Sequence, residues 1–363
     1  MKIIQRYYLK EFLKLFAIIA CGLGLTFSLM ELINRINDFI PNRPSMSALL
    51  LYSGLNLPQY LLYLMPMAAL ISGLFVFGQA GRKKETTAVK ASGGSIKTLL
   101  KPFVYSGVVL SIAGFLMGEF VVPDFLRRAH VLRDTLTRKE NVLTFKEGSV
   151  WMRAKGAIVK IDLFLPDRGV VKGVSIMKMD DYMLTERIEA DSAEWKPVWE
   201  AAENPKRGIW YLKGVTEYKI KDGTVATHKE LQSDIIGSPD VFREDMQKPE
   251  EMNVRELMAY TKRLRNAGFR NIKLSVDIHS RISYPFINLI MLVLGIALAS
   301  KGHMGSGLIT AAIGIFISLL YWVGYTGTLS MGYAGILPPF VAAWLMPVLF
   351  GGAAVYLFRT IPE

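Results

Sequence analysis

Two stretches of the chain, Ser47 to Gly81 and Met304 to Phe358, contain no Asp, Glu, Lys, Arg or His, whereas Pro123 to Ser280 mixes charged and apolar residues throughout. Uncharged runs of this length exceed the roughly 20 residues that a helix needs to cross a bilayer, so they predict membrane spans. The same reading along the whole chain gives six spans: Leu15 to about Ile36, Ser47 to about Gln79, about Leu99 to Val122, Ile282 to Ser300, Gly307 to Leu329 and Pro338 to Phe358. The second is longer than a bilayer requires and must tilt, kink or protrude; Pro58 and Pro66 supply the kink sites.

Between the third and fourth spans the period of the pattern changes to two. In AIVKIDLF (157–164) apolar Val159, Ile161 and Leu163 alternate with Lys160 and Asp162, and Ile188 and Ala190 repeat the pattern. Similar runs occur near 144–152, 170–179, 208–220 and 225–236. Short half-buried strands at regular spacing predict an all-β domain of sandwich or jelly-roll type. After it, Asn253 is placed to cap a helix in which Val254, Leu257, Met258, Thr261 and Leu264 follow helical spacing. The expected architecture is therefore a membrane α-helical protein of six transmembrane helices with an inserted, jelly-roll-like all-β domain. Residues 1–122 hold spans one to three, 123–280 the β domain with its flanking helices, and 281–363 spans four to six.

Composition agrees with this mixture: the 363 residues are 51% hydrophobic yet 20% charged. The net charge of +12 matters chiefly for where it lies. Residues 2–14 and 82–101, with Lys301 and Arg359, carry 12 Lys and Arg, opposed in those regions and at the C-terminus only by Glu11, Glu85 and Glu363. Excess cations flanking spans place the N-terminus, the 82–101 loop and the C-terminus in the cytoplasm, and an odd number of crossings then puts residues 123–280 in the periplasm. That segment is nearly balanced, with 29 basic residues against 25 acids through Arg281. A basic stripe for nucleic acid is absent, so nucleic acid is not an expected partner. Residues 1–14 are expected to lie at the interface as an amphipathic helix anchored by Tyr7 and Tyr8. Cys21, the single cysteine, excludes an intramolecular disulfide.

No catalytic constellation is visible. The chain has no GxxxxGK[ST] phosphate loop, no HExxH and no GxSxG. His130, His228, His279 and His303 are too dispersed to suggest a metal site. Spans two, four, five and six hold no carboxylate that would relay protons, so the energy for any transport comes from elsewhere. Glu31 and Glu119 sit near span ends, where they read either as interface-exposed carboxylates or as functional ones. In GRKKETTAVKASGGS (81–95), residues 82–91 favour a short helix that Gly93 and Gly94 terminate, either a solvated basic loop or a docking element.

The segments ETTAVKASGGS (85–95), PMAALISGLFVFGQ (66–79), GEFVVP (118–123), WMRAKGAIVKI (151–161), HSRISYPFINLIMLVLG (279–295) and GILPPFVAAWLMP (335–347) together resemble the lipopolysaccharide-export permease family, types F and G. The likeness spans essentially the whole chain, and SAEW (192–195) followed by GIWYL (208–212) leans toward the G type. The resemblance implies a non-catalytic transmembrane subunit in the inner membrane that works with a paralogous permease half, a cytoplasmic ATPase dimer and a single-span periplasmic β-jelly-roll protein to extract lipopolysaccharide. No cofactor is expected on this chain; ATP and Mg belong to the partner ATPase.

It further implies that residues 84–92 form a coupling helix docked on that ATPase, with Lys84, Glu85, Ala88, Val89, Ser92 and Gly93 as its contacts. A lipid with several acyl chains and a phosphorylated headgroup needs an apolar wall rimmed by cations. Spans one and five suit the wall through Phe27, Met30, Phe316, Leu320, Tyr321 and Tyr325. For the rim, Arg133 matches a basic position of the G type just beyond span three, with Arg127 and Arg128 earlier on the same segment. Glu31 stands where the family tends to carry a lysine late in span one, and Arg35, one turn later, is the substitute cation. An alternative of another class is a membrane-anchored envelope scaffold whose β domain recruits partners without transport; lipid-stimulated hydrolysis by a co-purifying ATPase separates the two.

Overall fold

The computed structural model describes residues 2–42, 44–137, 143–146, 149–154, 157–165, 170–180, 183–197, 208–220, 223–236, 249–266, 271–301 and 307–361. The chain divides into two compact units, one of Met1–Thr137 with Pro249–Glu363 and one of Arg138–Lys248. The helices flanking the β domain thus group with the membrane helices. His303 lies outside the described residues.

The helical unit opens with α1 (Lys2–Asn34), a short α2 (Ile36–Phe39) and α3 (Met46–Arg82). The 37 residues of α3 extend about 55 Å at 1.5 Å per residue, so the helix outreaches a hydrocarbon core of about 30 Å. Ser45 caps its start by accepting from the Ala48 N–H, and Pro58 and Pro66 lie within it without breaking it. α4 (Glu85–Ala91) and α5 (Ile96–Leu116) follow. A π turn at Met117–Val121 then joins α5 to α6 (Val122–Leu136), so the third span continues past Pro123. Pro123 sits in the first turn of α6 directly after the π turn, whose wider bond from the Val122 N–H to the Met117 carbonyl carries the chain up to the proline.

After the β unit come α7 (Val254–Asn266), α8 (Ile272–Ser283), α9 (Phe286–Lys301), α10 (Gly307–Tyr333) and α11 (Pro339–Arg359). Among the described residues five helices are long and apolar enough to cross a membrane, and the α8–α9 pair, bent by 48°, makes a sixth span if taken as one. The bend falls at Tyr284-Pro285, where proline cannot continue the backbone ladder.

α3 is the hub. Of its most apolar stretch 72% is buried, against 17% for α1 and 22% each for the α5–α6, α10 and α11 stretches. Its central partner is α9, and Gly295 lets the two backbones meet: a Cβ there would lie 2.6 Å from the Leu70 carbonyl oxygen. α1 and α10 also pack on α3. Residues 2–14 do not form a separate interfacial helix. They are the start of α1, and Tyr8 and Phe12 are buried against Phe77 and Phe103, while Tyr7 stays 57% exposed.

Among its described residues the second unit holds seven strands, β1 (Leu143–Lys146), β2 (Ser149–Ala154), β3 (Ala157–Leu165), β4 (Val170–Asp180), β5 (Met183–Pro197), β6 (Gly208–Lys219) and β7 (Thr224–Ser233). Each pairs antiparallel with the next in one consecutive sheet. The period-two residues line one buried face: Ile161, Val174, Ala190 and Val215 are successive cross-strand partners, as are Val159, Ile176 and Ile188. Trp210 is fully buried beside Trp195. Gly173 and Gly214 have positive φ (64° and 66°), and a Cβ at either would strike the carboxylate of Asp162 or Asp191 on the neighbouring strand. Glycine at these two points locally coils the strands.

Candidate functional site

The loop between α3 and α5 is shaped by local signals. The Lys83 N–H closes the last turn of α3 on the Gln79 carbonyl, and Lys84 then turns the chain at φ 58°, the one non-glycine residue with positive φ among those described. α4 ends in a Schellman motif: the Gly93 N–H donates to the Lys90 carbonyl and the Gly94 N–H to the Val89 carbonyl, with Gly93 at φ 77°. Ser95 then caps α5 by accepting from the Thr98 N–H.

α4 thus has two sides. Lys84, Thr87, Ala88, Ala91, Ser92 and Gly93 are exposed, whereas Glu85, Thr86, Val89 and Lys90 are half-buried against the helical unit. The inward position of Glu85 has a cause, since its carboxylate accepts a hydrogen bond from the Tyr8 hydroxyl of α1. Tyr8 in turn packs on Phe77 of α3, with ring centroids 5.8 Å apart. One side chain therefore links α1, α3 and α4.

A second cluster sits where α1 passes into α2. Arg35 donates to Glu31 one turn earlier. Arg133 of α6 donates to Asp38 at 3.1 Å. Both guanidinium groups lie within electrostatic range of the Tyr52 hydroxyl on α3. The structure thus gathers Arg35 and Arg133 into one patch in which each is already matched by an acid.

Arg127 and Arg128 go elsewhere. Arg127 bonds the Glu251 carbonyl at 3.0 Å and the Glu256 carboxylate, and Arg128 pairs with Asp124 at 2.9 Å. Arg127 belongs to a polar knot that fastens α6 to α7 and α8. In it His130 meets Glu251 at 2.6 Å, and Arg281 donates to the Met252 and Pro249 carbonyls. Glu119, of the π turn, is buried and accepts the Val254 N–H at 2.8 Å, which caps the start of α7 with a carboxylate. The only sequence signal for this role was an acid at the end of an apolar run.

The expected wall residues separate into two groups. Phe27 (42% exposed) and Met30 (55%) on α1, and Phe316 (67%) and Leu320 (55%) on α10, face outward. Tyr321 and Tyr325 face inward: both are 5% exposed, their rings stacked 5.7 Å apart, with Phe350 of α11 edge-on to Tyr321. In this structure the two tyrosines belong to the helix core and not to the outward surface that Phe316 and Leu320 form.

A family model described as "Lipopolysaccharide export system permease LptF/LptG" matches residues 6–360. The lipopolysaccharide export system permease protein LptG of Escherichia coli (strain K12) is 22% identical over 310 residues, covering 83% of this chain and 82% of that protein. LptG of Haemophilus influenzae (strain Rd) is 21% identical over 278 residues, 75% of each chain.

Proposed function

Because the chain belongs to the LptF/LptG family of lipopolysaccharide export system permeases, we propose that it is one permease half of an ATP-driven exporter that lifts lipopolysaccharide from the inner membrane and passes it to a periplasmic β-jelly-roll bridge. It supplies no catalytic group. A cytoplasmic ATPase dimer holds ATP and Mg, a paralogous permease half completes the substrate path, and a single-span β protein receives the lipid. The termini and α4 lie on the cytoplasmic side, where the cations flanking the spans concentrate, and the β unit lies in the periplasm.

The observation that carries this reading is the two-sided α4. Its outward side of Thr87, Ala88 and Ala91 is small and admits close approach of a partner groove, while its inward side is tied to α1 through Glu85 and Tyr8. A push on α4 by the ATPase is thereby delivered directly to the helix whose other end carries Glu31, the partner of Arg35. There the acids Glu31 and Asp38 hold Arg35 and Arg133 in place, and a phosphate of the lipid headgroup displaces them by offering bidentate, more highly charged acceptors. The outward faces of α1 and α10 provide the apolar wall for the acyl chains. In the β unit, β7 is a sheet edge with largely exposed residues, which suits end-to-end pairing with another β domain.

The test is Ala88→Trp, a bulky group on an exposed helix face that leaves the fold alone. Loss of ATPase co-purification and of ATP-dependent lipopolysaccharide crosslinking is expected, with membrane insertion retained. Normal ATPase association and transport in this variant overturn the reading.

A further inference from the structure

α1 and α5 run in the same direction along their first turns: Gln5 donates to the Thr98 carbonyl at 2.7 Å, and the rings of Phe12 and Phe103 lie 5.8 Å apart. On their outer side they leave a groove of about 440 Å³. Its origin is a step in side-chain size. Thr98, Pro102 and Ser106 recur at four-residue spacing and form a low floor on α5, while Leu9 and Leu13 of α1 stand as one wall. The Ser106 hydroxyl donates to the Pro102 carbonyl at 2.9 Å, so the floor presents little polar surface. Val109 and Leu110 close the far end.

The other end is cationic. Lys101 lines the mouth with its side chain exposed, and among the described residues no hydrogen bond or ion pair engages its ammonium group. From Thr98 to Leu110 the groove follows α5 for about 18 Å, close to the ~15 Å depth of one leaflet's hydrocarbon. That length and the apolar lining suit one extended acyl chain.

We infer that this groove binds one acyl chain of an anionic glycerophospholipid, with Lys101 engaging the headgroup phosphate. The ligand is distinct from the exported lipid: Gln5 lies about 45 Å along α1 from Arg35, so the two cationic positions belong to opposite membrane faces. Assigning the groove to the cytoplasmic leaflet rests on the orientation proposed above; the pairing of cation and apolar slot does not. Because Tyr8 sits on the same turns of α1 as Leu9, an occupied groove braces the helix that holds Glu85.

The experiment uses the chain within its purified export complex, reconstituted with photoactivatable phosphatidylglycerol or phosphatidylcholine of identical chains. Phosphatidylglycerol label is expected to map to residues 5–13 and 98–110. Lys101→Gln should lower it about fivefold, the loss of one lysine–headgroup contact, and lower the phosphatidylcholine signal less, because the choline cation already offsets that phosphate. Ser106→Phe, which fills the floor, should lower both; if that variant does not fold, the exposed Lys101→Gln still decides. Label mapping elsewhere, phosphatidylglycerol label unchanged in Lys101→Gln, or a photocrosslinker at Tyr105 that captures a partner helix and not lipid overturns the inference. ATP-dependent lipopolysaccharide crosslinking measured in the same samples separates the two readings. Its loss with groove labelling intact refutes the export reading alone, and the converse refutes the groove alone.

Discussion

The hydroxyl of Tyr8, near the start of the first helix, donates a hydrogen bond to the carboxylate of Glu85 in the short helix α4, 77 positions away in sequence. The pair converts a surface loop into an element mechanically joined to a membrane helix. A hydrogen bond to a charged, half-buried group contributes about 1–2 kcal/mol. Tyr8→Phe keeps the ring packed on Phe77 and removes only the donor. Amide hydrogen exchange over residues 85–92 should then quicken roughly fivefold or more, which corresponds to about 1 kcal/mol of local stability. Exchange that stays at the original rate would show that α4 is held by its caps alone.

Glu119 makes a comparable long-range tie at the other end of the helical unit. Its carboxylate satisfies the Val254 N–H, one of the groups that a helix start leaves without an intrahelical partner. Glu119→Ala should cost about 1–2 kcal/mol, the usual loss on removing a helix cap, and lower the melting temperature of the purified complex. Glu119→Gln, which retains an acceptor but loses the charge that favours a helix N-terminus, should recover part of that loss. Equal melting of all three proteins would remove the cap from the account.

What the sequence made legible depended on how local its cause was. α4 and its termination at Gly93 and Gly94 follow from residues within one turn of each other, and the strands follow from strict alternation in a segment that has a wet side and a dry side. Helix facing inside the apolar spans was not legible in the same way. A soluble helix advertises its buried side by polarity, but a membrane helix is apolar toward lipid and toward protein alike, so periodicity cannot distinguish Phe316 from Tyr321. The same ambiguity hid which of Tyr7 and Tyr8 turns inward. Glu119 escaped because its partner is a backbone N–H 135 residues distant, and backbone groups leave no mark in a residue pattern.

Glycines test the packing of the hub. Gly295 brings α9 against the Leu70 carbonyl of α3, and a methyl group there has backbone and not a flexible side chain in its way. Gly295→Ala should therefore force the two helices apart and destabilise the protein by about 1–3 kcal/mol, seen as lower yield and earlier thermal unfolding. Gly22, on the outward side of α1, has nothing within 4 Å of its would-be Cβ. Gly22→Ala should be neutral or slightly stabilising, because alanine is the better helix former. If both substitutions behaved alike, close approach at α3–α9 would not be what stabilises the hub.

Tyr321 separates core from wall. It is 5% exposed, stacked on Tyr325 and edge-on to Phe350, and its hydroxyl has no hydrogen-bond partner among the described residues. A buried, unsatisfied hydroxyl is a cost that phenylalanine removes while keeping the ring contacts. Tyr321→Phe should thus leave stability unchanged or raise it by up to about 1 kcal/mol. It should also leave lipopolysaccharide crosslinking from a probe at Phe316, one and a half turns earlier and 67% exposed, at its original level. Tyr321→Ala should instead open a cavity beneath Phe350 and cost about 3–5 kcal/mol. A fall in crosslinking with Tyr321→Phe, at undiminished stability, would mean that the hydroxyl reaches substrate in some step of transport and that α10 turns to present it.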